Sequence, residues 1–108
     1  MIPEITPSEL DAWRNDAARE APYVVDVREP WEHEKARIEG ATLIPMREIP
    51  ARLGELPDDR DIVLMCHHGS RSAQVAAWLA RNGLPRVHNL AGGIDAWSRQ
   101  VDPAIPRY

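Results

Sequence analysis

A chain of 108 residues, 28% charged and 44% apolar, carries enough apolar side chain for one core and too much for a disordered segment. Its net charge of −4 leaves no basic footprint for nucleic acid, and no apolar run approaches the length of a membrane span. The amino terminus, Met1-Ile2-Pro3-Glu4, does not read as a signal peptide, so the expectation is a single cytoplasmic domain over residues 1–108.

Taken in order, the chain alternates helical and extended patterns. Thr6-Pro7-Ser8-Glu9 reads as a helix start, with Thr6 as N-cap, Pro7 in the first helical position and Glu9 closing a capping box. Leu10, Trp13 and Ala17 continue it at helical spacing. Residues 23–27 suit a buried strand in which Asp26 must be paired, with Arg28 as a candidate partner in a structural ion pair. Pro30 begins a short helix through Lys35, charged enough to lie mostly in solvent. Gly40 and Ala41 turn the chain into a strand at 42–44, and a brief helix with Pro50 in its first turn ends at Gly54.

Residues 62–65, Ile-Val-Leu-Met, suit a strand buried on both faces. A helix follows over 72–82 and stops at Gly83. Residues 87–90 read as a further strand, Gly92 and Gly93 as a tight turn, 94–99 as a short helix, and Pro103 and Pro106 mark an irregular tail. With Phe absent, Trp13, Trp31, Trp78 and Trp97 are expected to supply most of the large aromatic packing. The connections between strands are long enough for crossovers, which predicts a small α/β domain with a mainly parallel sheet.

The chemistry concentrates in residues 66–72, Cys-His-His-Gly-Ser-Arg-Ser, between an apolar strand and a helix. In α/β sheets ligands bind at that end of the strands, and a helix amino terminus favours an anion. Cysteine reacts as the thiolate, which a helix amino terminus or a nearby cation stabilises. Gly69 allows a left-handed turn that converges several N–H groups, Ser70 can cap the helix, and Ser72 offers a second hydroxyl. Arg71, in the first helical turn, opposes the macrodipole, a placement that makes sense beside an anion. His67 and His68 are read as lining the pocket mouth and gaining charge as pH falls below about 6.5. No metal site is expected, because three adjacent residues do not easily converge on one ion and no second cluster completes the ligands. Cys66 is the single cysteine, so any partner thiol must come from another molecule.

Residues 66–72 closely resemble the active-site loop of rhodanese-like domains: Cys, two variable residues, Gly, one variable residue, Arg, Ser. Asp26-Val27-Arg28-Glu29 is similar to that family's Asp-x-Arg strand end, and Ile38-Glu39-Gly40-Ala41 to its Ile-x-Gly-Ala turn. The run from Leu90 to Trp97 is similar to its Gly-Gly-x-x-Ala-Trp motif. The four motifs stand in the family's order along essentially the whole chain.

The resemblance implies a parallel sheet flanked by helices on both faces and a catalytic Cys66 that carries sulfur as a persulfide. It implies a substrate cradle from His67, His68, Gly69, Ser70, Arg71 and Ser72, with Asp26 and Arg28 as structural residues near the site. No cofactor is implied. The implied partners are a small sulfur donor such as thiosulfate and a nucleophilic acceptor: cyanide in an assay, a thiol or sulfur-accepting protein in a cell. Two departures stand out. Ala36-Arg37 replaces the family's Gly-His, and His67 and His68 replace a permanent cation, leaving Arg71 the only fixed cation in the loop and thiosulfate a poor donor. The alternatives are a partner-binding module of the same fold, which commonly lacks the cysteine, and a cysteine-dependent phosphatase or arsenate reductase. Phosphatase loops place five residues between Cys and Arg, where this chain has four.

Overall fold

A strand covered on both faces needs apolar side chains on both, and Ile62–Met65 provides four in succession, every one buried. In the computed structural model, which describes residues 2–108, this strand (β4) is the middle of a five-stranded parallel sheet. The others are β1 Glu4–Ile5, β2 Tyr23–Asp26, β3 Thr42–Leu43 and β5 Val87–Leu90, and the order across the sheet is β1-β5-β4-β2-β3. All four pairings are parallel, and the register sets Asp26 of β2 beside Met65 of β4. The helices are α1 Pro7–Arg14, α2 Pro30–Lys35, α3 Ser70–Arg81 and α4 Gly93–Gln100. Two short 3₁₀ segments, Met46–Glu48 and Pro50–Glu55, link β3 to β4.

Strand alternation divides the apolar residues into two layers. Val25, Val27, Leu64 and Cys66 face one side, where they meet Val75, Ala76 and Leu79 of α3. Val24, Val63 and Met65 face the other, against Leu10 and Trp13 of α1 and Ile94 and Trp97 of α4. Helices therefore cover both faces, the α/β arrangement that the crossovers require. Among the described residues no helix is long and apolar enough to cross a membrane.

The capping box at Thr6 is present, with the Glu9 N–H donating to Thr6 Oγ1 at 3.1 Å and the Thr6 N–H to Glu9 Oε1 at 2.8 Å. The helix ends at Arg14, so Ala17 lies beyond it and is exposed. Strand β1 carries no sequence signal because two residues show no alternation; its pairing with Asn89 and Leu90 of β5 makes it a strand. Helix α3 starts two residues earlier than its apolar spacing suggests, since Ser70 and Arg71 already have helical backbone. Two expectations fail on packing. Trp31 is 60% exposed, so the buried aromatic mass comes mainly from Trp13 and Trp97. Helix α2 does not simply lie in solvent either, for Glu32 is 4% exposed.

The charged residue buried inside the sheet is Asp26, fully buried with Arg28. Arg28 Nε and Nη2 donate to the two carboxylate oxygens at 2.9 and 2.7 Å, and the Arg28 N–H adds a third bond at 3.0 Å. His33 Nδ1 lies 2.9 Å from Oδ2. Arg28 also donates to the carbonyls of Glu32 and Ala36, so this ion pair holds the carboxyl end of α2 against the end of β2. Removing one partner strands a buried charge. Asp26→Ala is expected to lower unfolding free energy by about 3–5 kcal/mol, read from urea denaturation.

Candidate active site

The residue after β4 is Cys66, 1% exposed, with its sulfur turned into the loop that follows. Three groups converge on Sγ: the Gly69 N–H at 3.1 Å, the Ser72 N–H at 3.4 Å and the Ser72 hydroxyl at 3.3 Å. The N-cap of α3 is Gly69, which has no side chain with which to accept from the first turn. The cysteine sulfur takes that place, accepting the N–H of the third helical residue as a capping oxygen would. This corrects the assignment of Ser70, which is exposed and caps nothing. Gly69 has φ +110°, the left-handed backbone expected of it, and this reversal turns its N–H back toward the sulfur.

Two elements brace the loop from behind. Asn89 of β5 donates to the Gly69 carbonyl at 3.1 Å and to Glu4 at 2.9 Å, and its Oδ1 faces the Ser72 hydroxyl at 2.5 Å. The single Ser72 hydroxyl proton is thus shared among the sulfur, the Gly69 carbonyl and Asn89. On another side, Ile94 and Asp95 at the start of α4 donate their N–H groups to the carbonyls of Cys66 and His67 at 2.9 and 3.1 Å. Gly93 allows that approach, because a side chain there would collide with both carbonyls.

Arg71 is paired within the protein. Its two terminal nitrogens pair with both oxygens of Glu32 at 2.8 and 2.9 Å. Glu32 is thereby held down at about 2 by Arg71, against the opposing effect of burial, and the Arg71 guanidinium is driven up by the same contact. The fixed cation expected in the loop is thus present and paired with a carboxylate of the protein. Tyr108 completes this corner, donating its hydroxyl proton to Glu32 Oε2 at 2.8 Å while accepting from Arg28 Nη1 at 2.8 Å. Burial pushes the phenol up to about 12, so it stays protonated.

His67 lies between two rings, stacked on Tyr108 at 3.9 Å and 5° and on His68 at 3.9 Å and 27°. Burial and the neighbouring His68 pull its pKa below the usual imidazole value, so acidification charges it later than the sequence suggests. Of the residues expected at the site, Gly69 and Ser72 converge on the Cys66 sulfur, and Arg71 pairs with Glu32. His67 and His68 lie on its rim, and Asp26 and Arg28 lie beneath α2. Sequence reasoning missed Glu32, Asn89 and Tyr108. Each reaches the loop from a distant segment, and no spacing within the chain marks it.

A parallel α/β sheet with a cysteine at the carboxyl end of its central strand, its sulfur ringed by loop N–H groups, defines the class. The rhodanese-like domain family matches residues 6–100, and the chain belongs to that family. It is 41% identical to a sulfurtransferase of Allochromatium vinosum over 97% of this chain and 96% of that one. It is 34% identical to a putative sulfur carrier protein, YrkF, of Bacillus subtilis, over 94% of this chain and 54% of that one. Among solved structures, a rhodanese-like domain protein from Staphylococcus aureus superposes with a TM-score of 0.84 at 31% identity, covering 99% of both chains.

Because the Glu32 carboxylate is depressed in the folded protein, its contribution is full above its ordinary value of 4.5 and disappears as pH falls toward 2. Solvent on the Arg71 side screens part of the attraction, leaving about 2 kcal/mol. Glu32→Gln should therefore destabilise the protein by about that amount at pH 7, and the gap to wild type should narrow in urea denaturation at pH 3.

Proposed function

We propose that this protein is a sulfurtransferase that carries sulfane sulfur as a persulfide on Cys66. The observation that carries this reading is the ring of donors on Sγ from Gly69 and Ser72. Fixed dipoles of that kind stabilise a sulfur anion without reorganising when it forms. Named sulfurtransferase and sulfur carrier relatives support the same reading. The Cys66 thiolate attacks the outer sulfur of a donor such as thiosulfate, a sulfur–sulfur bond forms, and sulfite leaves with the electron pair of the broken bond. The charge then rests on the outer sulfur of Cys66–S–S⁻, among the N–H groups of residues 67–72. A nucleophilic acceptor takes that sulfur and returns the Cys66 thiolate. With no second cysteine in the chain, the acceptor is an outside molecule: cyanide in an assay, a thiol or sulfur-accepting protein in the cytoplasm.

The Glu32–Arg71 pair refines the donor question. An arginine matched by a buried carboxylate adds little net attraction for a dianion, so donor recognition rests on backbone N–H groups and the histidine rim. Thiosulfate is then a serviceable but weak donor.

Intact-mass spectrometry after incubation with thiosulfate tests the chemistry. Wild type should gain one sulfur atom and lose it to cyanide, with thiocyanate released, while Cys66→Ala gains nothing and remains folded. Wild type that acquires no sulfur from thiosulfate or other sulfane donors would instead favour a partner-binding module. Arg71→Ala should lower kcat/KM for sulfur transfer at least about tenfold by loosening the loop, the scale on which misplaced reacting groups cost rate. An unchanged kcat/KM would remove Arg71 from the site.

A further inference from the structure

On the rim of the cysteine loop, where Tyr108 stacks on His67, the side chains of His67, His68 and Asp95 come together. Each offers one ligand atom, and the three atoms lie within 4.8 Å of one another. The first two are adjacent on the loop, and the third comes from the first turn of α4, so no sequence spacing announces the group. Backbone contacts hold it together: the Asp95 N–H donates to the His67 carbonyl at 3.1 Å, and the Ile94 N–H to the Cys66 carbonyl at 2.9 Å. Gly93 keeps these two segments in contact.

A second observation concerns one member of the group. Among the described residues, His67 Nε2 is the buried side-chain nitrogen or oxygen left without a hydrogen-bond partner. Buried polar atoms are nearly always satisfied, and an orphan calls for an ion, a water or a chemical role. Asp95 remains a carboxylate, held low by Arg107 and Arg99. His68 is exposed, which leaves the cluster a path to solvent.

We propose that His67, His68 and Asp95 form a binding site for a divalent transition-metal ion of the zinc class, with solvent completing its coordination. Two imidazoles and one carboxylate suit zinc, nickel or copper, whereas magnesium and calcium prefer all-oxygen sets. The contacts from Arg99 and Arg107 to Asp95, at 3.3 and 2.9 Å, must loosen for one oxygen to turn to the ion. Both arginines are about half exposed and free to do so. The exposed His68 ring must also turn out of its stack on His67, because stacked rings aim their nitrogens side by side rather than at one point. Cys66 is not a member of the group, since its sulfur is directed into the loop by Gly69 and Ser72. Zinc binding here does not require the Cys66 chemistry, although the same two histidines form the rim proposed to meet the sulfur donor.

Zinc chloride titration of the intact chain by isothermal calorimetry tests this, with Cys66→Ser as the essential background because a thiolate binds zinc by itself. Wild type and Cys66→Ser should each take one zinc ion per chain with matching affinity. Asp95→Asn and His68→Ala, each made on Cys66→Ser and checked for an unchanged circular dichroism spectrum, should weaken binding at least about tenfold, the scale on which even supporting groups of metal ligands act. Zinc should also raise the melting temperature of Cys66→Ser but not of its Asp95→Asn derivative. Loss of binding in Cys66→Ser alone, or affinity untouched by both Asp95→Asn and His68→Ala, would overturn the proposal.

Discussion

The structure depends on a buried ion pair made by two residues at the end of one strand. Asp26 and Arg28 are both without solvent exposure, and moving such charges out of water costs several kcal/mol each. The cost is offset because nearly every bonding position is filled: two side-chain bonds and one main-chain bond between them, His33 on the carboxylate, and two carbonyls and the Tyr108 hydroxyl on the guanidinium. What the pair gains is position rather than stability. It ties α2 to the end of β2, and β2 lies in register with β4, so Glu32 arrives beside the loop that β4 feeds.

From that anchor the site follows as a chain of contacts. Glu32 takes both nitrogens of Arg71, accepts from Tyr108 and receives the N–H of Glu29 at the start of its own helix. Arg71 lies one residue before Ser72, whose N–H and hydroxyl both reach the cysteine sulfur. Asn89 and α4 hold the loop from the opposite direction. The sulfur thus occupies the position of a helix-capping atom, and the groups that would otherwise be left unsatisfied at the start of α3 become its anion cradle. One arrangement serves both folding and the sulfur chemistry proposed for it.

This economy changes the electrostatics of the loop. An arginine in the first turn of a helix suggests a cation waiting for a substrate. In the folded protein it is paired with a carboxylate held at about 2. What faces the sulfur is a set of dipoles, which hold one atom of negative charge at short range and exert little pull at a distance. The rim beyond it carries aromatic and imidazole rings, Tyr108 on His67 on His68.

Much of the site was legible in the order of the residues because its core is local. Cys66, Gly69 and Ser72 act through a single loop and helix start, where seven consecutive positions set which N–H groups can turn inward. The strands expected at 23–27, 62–65 and 87–90 were legible from apolar runs between turn residues, the first ending one residue sooner at Asp26. The Asp26–Arg28 pair was legible from a carboxylate in a buried strand two residues from a cation. The two-residue strand at Glu4–Ile5, the burial of Glu32, the brace from Asn89 and the stacking of Tyr108 were not legible, since each depends on segments brought together across the sheet. Exposure of Trp31 belongs with them, as composition says how much aromatic surface exists and not which ring is covered. Local backbone chemistry, read from adjacent residues, determined that a cysteine would sit in a ring of donors at a helix amino terminus. The tertiary structure alone decided that Arg71 would be neutralised and that His67 and His68 would meet Asp95, because opposite charges and ligand atoms find one another through space, at separations sequence spacing does not encode.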